Sequence, residues 1–143
     1  MASVPLERML ELANPLSDWP WCCEAPTNQE IARLLSSAPL EPEPVCTDDA
    51  AVRHIGRIRY LVQHGWDDAI EIDVGVPALG YPGPEWPVTD GNHRLAAAQV
   101  RGDKTIRVDV AGQTCHAARL LRMEEAILLD GRAEGNPAKD LSE

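Results

Sequence analysis

Asp90-Gly91-Asn92-His93-Arg94 runs directly into Leu95-Ala96-Ala97-Ala98, and residue types in that order suit phosphate chemistry. Val88-Thr89 reads as a short strand, Asp90-Gly91 breaks it, and a helix opens at Asn92. The first turn of a helix has backbone N-H groups without intrahelical acceptors and carries the positive end of the helix dipole. Gly91 permits close backbone approach, Arg94 can fork onto phosphoryl oxygens, and His93 adds a neutral or cationic donor. Asp90, at the strand end, could orient a side chain or hold a metal ion. A plainer account fits the same residues: Asp90 caps the helix, His93 and Arg94 are solvated, and the alanines only pack on a sheet.

The elements around this turn follow from hydrophobic spacing. Residues 4–13 place Leu6, Met9 and Leu10 at helical intervals, so a short first helix is expected, ended by Asn14-Pro15. Residues 14–26, with Trp19-Pro20-Trp21, read as an irregular loop pinned by its indoles. Thr27-Asn28-Gln29-Glu30 has the form of a capping box before the Ile31, Leu34, Leu35 stripe. The proline-rich stretch 39–46 should run extended, on an edge if it joins a sheet.

From Thr47 the pattern becomes regular. Thr47 or Asp48 caps a helix with Val52, Ile55, Ile58, Leu61 and Val62 on one face, closed by Gly65. Ile70, Ile72, Val74 and Val76 alternate with Glu71 and Asp73 as a half-buried strand, followed by a Gly/Pro-rich loop over 77–85. Residues 86–89 form a second strand, Asn92 to Arg101 a helix stopped by Gly102, and Ile106, Val108 and Val110 a third strand. Residues 115–129 predict one last amphipathic helix, and the tail after Gly131 reads as disordered.

Composition narrows the class. The 143 residues suit one domain, and 44% hydrophobic residues suffice for a core. With no long apolar run and no basic, hydrophobic leader, a soluble, cytoplasmic protein without membrane contact is expected. The net charge of -10 argues against binding DNA or RNA by phosphate neutralisation, so no direct nucleic acid partner is expected. Residues 1–50 hold two basic against nine acidic side chains, a net of -7, whereas residues 51–100 net -2 and residues 101–143 net -1. Cys22, Cys23, Cys46 and Cys115 are expected to stay reduced; a zinc site from Cys22, Cys46, Cys115 and His116 lacks ligand spacing.

At the Asp90 to Arg94 box the chain resembles the ParB/sulfiredoxin superfamily, whose members carry a Gly-x-x-Arg or Gly-Cys-His-Arg box at such a strand-to-helix turn. The resemblance spans roughly residues 47–122, in the order helix, strand, glycine-rich loop, short strand, box and following strand. It implies an α/β (α+β) fold: a small mixed sheet with flanking helices, preceded by a helical N-terminal extension. The implied division is an acidic helical extension and proline-rich segment at 1–46 packed on the core, a ParB/sulfiredoxin-like domain at 47–130 and a flexible tail at 131–143. It also implies nucleotide binding (ATP or CTP, with Mg²⁺) by Gly91, Asn92, His93 and Arg94, with Asp90 beside them as the metal residue and Arg57 adding charge. Asp90, His93 and Arg94 would be the catalytic set of a weak NTPase or phosphotransferase.

Departures from the family limit this. Asn92 stands where sulfiredoxin has its reactive cysteine, so repair of sulfinic acid is not expected. The helix-turn-helix and dimerisation segments of chromosomal ParB find neither room nor basic surface, although a homodimer stays open. The family's kinase branch has a catalytic acid in its N-terminal strand, and Glu41 or Glu43 lies in a comparable extended segment, though solvated linker carboxylates account better for both. A second function class uses the acidic third: Glu7, Glu11, Asp18, Glu24 and Glu30 would bind a basic nucleic-acid-binding protein complex, as mobile-element inhibitors of anti-CRISPR or anti-restriction type do. A ParB-like nuclease built on Asp73, Asp90 and His93 is the third.

Overall fold

The computed structural model describes residues 1–45 and 50–134, the last five as backbone only. Four strands, β1 (Ala2–Pro5), β2 (Ile70–Asp73), β3 (Val88–Asp90) and β4 (Thr105–Ala111), form one mixed sheet in the order β1-β4-β2-β3. β4 runs parallel to β2, with Ile70 opposite Val108 and Ile72 opposite Val110, and antiparallel to β1; β3 runs antiparallel to β2. The fold is therefore α+β with a small mixed sheet and flanking helices, as expected.

Alternation decides which face of the sheet is covered. In β4, Ile106, Val108 and Val110 are buried while Thr105, Arg107 and Asp109 are exposed. In β2, Ile70 and Ile72 are buried and Glu71 is exposed. Helices cover the apolar face: α5 (Asn92–Arg101), α6 (Thr114–Leu121) and α7 (Glu125–Glu134) share its core with α1 (Leu6–Leu12) through Leu95, Ala98, Ala117, Leu121, Leu128 and Met9. A second layer lies behind α5, where α4 (Ala51–His64) sets Ile58 and Leu61 against Ala96 and Ala97, and α3 (Asn28–Ser37) sets Leu34 near Ile55.

The N-terminus departs from expectation. Residues 4–5 are strand, not helix: Ala2 to Pro5 pair with Val108 to Thr105, and helix α1 begins at Leu6, whose N-H donates to the Lys104 carbonyl at 2.9 Å. The chain thus starts with an edge strand of the sheet rather than with a helical extension alone. Four residues are too few to show a period of two, and a partner 100 residues away supplies the strand. The loop at 14–26 also contains a one-turn helix, α2 (Pro15–Asp18), capped by Asn14 Oδ1 accepting from the Ser17 N-H at 3.1 Å.

Half of the capping box forms. Thr27 Oγ1 accepts from the Glu30 N-H at 3.1 Å, but the Glu30 carboxylate turns forward to Arg33 in two bonds of 2.8 and 2.6 Å. That pairing holds the Glu30 carboxyl below its ordinary range. The proposed caps Thr47 and Asp48 lie outside the described residues. The expected final helix is two, because Arg122 adopts a left-handed φ of +53° between α6 and α7. Helix α1 grips that corner: Arg8 Nη1 donates to the Arg122 carbonyl at 2.6 Å, and Glu11 pairs with the Arg122 guanidinium at 2.7 Å. Helix α7 continues through Gly131 to Glu134, past the point where disorder was expected.

The described part of the proline-rich segment, residues 39–45, joins no sheet. It crosses α4, where the Glu41 N-H donates to the Gly56 carbonyl at 3.1 Å and Arg53 Nε pairs with Glu41 at 3.2 Å. Gly56 is buried inside α4, a position where glycine usually costs about 1 kcal/mol relative to alanine. Here a Cβ would run into the Pro39 carbonyl oxygen. Gly56→Ala is therefore expected to lower stability by about 1–3 kcal/mol, opposite to its sign in an open helix. Urea unfolding measures it, and a raised midpoint would show that segment 39–41 does not hold this contact.

Candidate functional site

The strand-to-helix turn collects the residues selected from the sequence, and each has an internal task. Gly91 caps α5 with φ +104°, and a Cβ there would meet Ile70 Cγ2 at 2.7 Å. The close approach that glycine permits is to the side chain of β2. Asn92 Oδ1 accepts from the Trp86 indole N-H at 2.9 Å, which ties the loop before β3 to the first turn of α5.

Arg94 is a clasp. Its Nη1 donates to the carbonyls of Asp68 at 3.1 Å and Ala69 at 2.9 Å, and its Nη2 donates to Asp90 Oδ2 at 3.0 Å. One guanidinium thereby joins the approach to β2, the end of β3 and the start of α5, with its side chain 16% exposed. Asp90 does not cap the helix and Arg94 is not solvated, so the plainer account fails at both. Asp90 keeps 61% exposure beyond that pair.

His93 is placed by residues that the sequence reading did not select for the site. His54 of α4 is 2% exposed, and its Nδ1 lies 3.0 Å from His93 Nε2, one ring donating and the other accepting. The two imidazoles are 13° from coplanar, and the Trp21 indole stacks on both at centroid distances of 5.1 Å (His54) and 4.8 Å (His93). Trp19 meets Trp21 edge-on at 4.7 Å. Burial, then the neighbouring His54, Arg57 and Arg94, pushes the His93 pKa from its ordinary 6.5 down to about 3. Its ring is neutral at physiological pH, so the cationic alternative is withdrawn. The Trp19-Pro20-Trp21 cluster was visible in the sequence, but the imidazole partners lie 33 and 72 residues from Trp21 along the chain.

Arg57 and Leu61 of α4 face Asp90, Gly91, His93 and Arg94 across a cleft of about 110 Å³. Arg57 Nη1 also donates to the Pro42 carbonyl, and its guanidinium lies 5.6 Å from the Tyr60 ring centre. The cleft is small beside the roughly 300–1,000 Å³ of a typical small-molecule pocket, and suits a single phosphoryl-sized group. Among the described residues, two guanidinium groups and a helix N-terminus outweigh one carboxylate here, so their combined contribution to the cleft is positive.

Other selected residues stand apart. Asp73 belongs to a different cleft, with Glu85 and His116, and does not meet Asp90 and His93 as the nuclease reading required. Among the described residues no group of three or more His, Cys, Asp or Glu side chains could hold a metal ion. A Mg²⁺ ion held mostly by phosphates and water needs as little as one carboxylate, which Asp90 could offer. Cys22 is exposed and Cys115 half-buried with its Sγ 3.2 Å from Gln113 Nε2, while Cys46 lies outside the described residues. Of the acidic residues chosen as a partner surface, Glu11 and Glu30 are paired with Arg122 and Arg33, whereas Glu7, Asp18 and Glu24 are exposed. Among the described residues no helix is long and apolar enough to cross a membrane.

Compared with protein-family models, with curated proteins and with solved structures, the chain gives no match.

The neutral His93 has a consequence for stability. Unfolded, it binds a proton below pH 6.5; folded, it does so only near pH 3. Between those values the unfolded state holds about one more proton, so this group favours folding above pH 6.5 and its contribution is lost at about 1.4 kcal/mol per unit as pH falls through the window. His93→Gln is expected to flatten the acid side of the stability profile relative to wild type by about that slope. Urea midpoints from pH 4 to 7 test this, and parallel profiles would contradict a buried neutral His93.

Proposed function

We propose that the chain binds a phosphate-bearing ligand, a nucleoside triphosphate such as ATP or CTP with Mg²⁺, with one phosphoryl group at the N-terminus of α5. The observation that carries this reading is the convergence of Arg57, Arg94 and the first turn of α5 on one cleft, in a chain of net charge -10. The residues and their order resemble the nucleotide site of the ParB/sulfiredoxin superfamily.

The internal bonds refine the role of each residue. Arg94 and Gly91 build the turn, Asn92 secures it, and the backbone amides at the start of α5 receive the anion together with Arg57. His93 contributes hydrogen bonding without charge. Slow NTP hydrolysis or phosphoryl transfer would draw on electrostatic stabilisation by the two arginines and the helix end, with Asp90 beside any accompanying Mg²⁺. The alternative, an acidic inhibitor of a basic nucleic-acid-binding complex, draws on carboxylates of which Glu11 and Glu30 are already paired within the chain.

Arg57→Ala tests the reading more cleanly than a change at Arg94, which would also release β2 and β3. Calorimetric titration with ATP, CTP and GTP in Mg²⁺ is expected to show at least tenfold weaker binding by Arg57→Ala, the loss of one charge-assisted contact. No binding by wild type, or equal affinity in both, overturns the proposal.

A further inference from the structure

The Trp21, His54 and His93 stack is more than a core contact. His54 is the polar side chain that the described core buries, at 2% exposure. Burying an imidazole costs free energy that an aliphatic side chain would not, unless a hydrogen bond compensates. At Nδ1 the partner is His93, whose ring also lines the cleft.

The segment that covers the pair is itself constrained. Trp19 is 7% exposed and holds a left-handed φ of +43°, a conformation that costs a bulky residue about 1–3 kcal/mol. Such strain persists where packing over-determines it. Here Trp19 meets both Trp21 and His54 edge-on, at 4.7 and 6.2 Å, and packs with Ile31, Leu34 and Ile55. Two residues on, the Trp21 indole stacks over both hydrogen-bonded imidazoles, inclined by 26° and 22°, where aromatic contacts add about 0.5–1.5 kcal/mol each.

We propose that Trp21 and His54 are positioning residues for the cleft: they fix the His93 ring against the first turn of α5, and through them the strap at residues 19–21 governs how the cleft receives an anion. This rests on the reading of the cleft as an anion site. The fixed ring offers a hydrogen-bonding group of constant orientation and constant charge. Among the described residues, the groups facing it are His54 and Arg57 from α4, Arg94 from α5, Asp90 (paired with Arg94) from the end of β3, and the uncharged indole of Trp21 from the strap. Neutral His93 between two arginines adds no charge of its own, so anion affinity stays level across the pH range in which a free histidine titrates.

Inorganic sulfate is the probe, because it remains a dianion from pH 5 to 8. In wild type, sulfate affinity is expected to be flat over that range, and the His93 ring resonances should not titrate above pH 5. Trp21→Ala should release the ring, move its titration towards 6.5, and make sulfate binding about fivefold tighter at pH 5.5 than at pH 8, as a neutral hydrogen bond becomes charge-assisted. Trp21→Phe, which keeps an aromatic face, should behave as wild type. Where Trp21→Ala does not fold, Trp21→Leu carries the same expectation. Normal sulfate binding with His93 titration and pH profile unmoved by loss of the ring overturns the positioning role alone. Absence of sulfate and nucleotide binding in wild type overturns the anion site itself, whatever the ring titration shows.

Discussion

Helix α5 is packed on two sides, and the remaining architecture is arranged around that fact. Leu95, Ala96, Ala97 and Ala98 are all 0% exposed, with Leu95 and Ala98 in the sheet core and Ala96 and Ala97 against α4. A helix buried from both directions must be thin, and successive alanines supply that thinness while keeping the best helix propensity. Its N-terminus cannot shift without moving β2, β3 or α4. Gly91 lies against Ile70, Arg94 clasps the carbonyls before β2, and His93 is bonded to α4. The cleft forms where these three fixed surfaces meet.

The motif was legible because helix starts and stops have local causes. Gly91 before Asn92, three alanines and Gly102 at the far end mark α5 without reference to anything else, and the observed helix runs over Asn92–Arg101 as read. The alternation in β2 and β4 is equally local. What each motif residue does was not legible. The partners of Arg94, His93 and Asn92 are the carbonyls of residues 68 and 69, Asp90, His54 and Trp86, and all but Asp90 and Trp86 come from well upstream in the chain. Residue type showed that Arg94 could fork onto oxygens, and the fold decided that carbonyl and carboxylate oxygens of the protein would occupy the fork.

The errors at the two ends share a cause. Ala2 to Pro5 have no strand signal strong enough to compete with the helical spacing of Leu6, Met9 and Leu10; β4 makes them a strand by offering an edge. At the other end, Leu120 to Leu128 keep an apolar pattern that suits a continuous helix. Arg8 and Glu11 hold the Arg122 corner from α1, so the break is tertiary in origin. Both features depend on contacts between residues 100 or more positions apart, beyond the reach of any windowed pattern. His54 shows a third limit, since a histidine in an amphipathic helix gives no indication that its ring will be buried beside another.

The commitment of the motif side chains also bears on what kind of site this can be. A turn whose Gly, Asn, His and Arg are all bonded internally does not need to reorganise when a ligand arrives. What it presents is fixed backbone amides, the dipole end of α5 and Arg57 from across the cleft. Preorganised donors of this kind favour charge and compact shape, because little conformational entropy is lost on binding, although Arg57 would share its guanidinium with the Pro42 carbonyl. A space of about 110 Å³ sets the shape limit at one phosphoryl-sized group. Discrimination among nucleotides would then fall to surfaces outside the cleft, and an acidic chain would repel anions everywhere except at this point. If the cleft takes an anion as proposed, the -10 charge of the chain would weaken non-specific anion binding, while the arginines and the helix end at the cleft would favour the specific one.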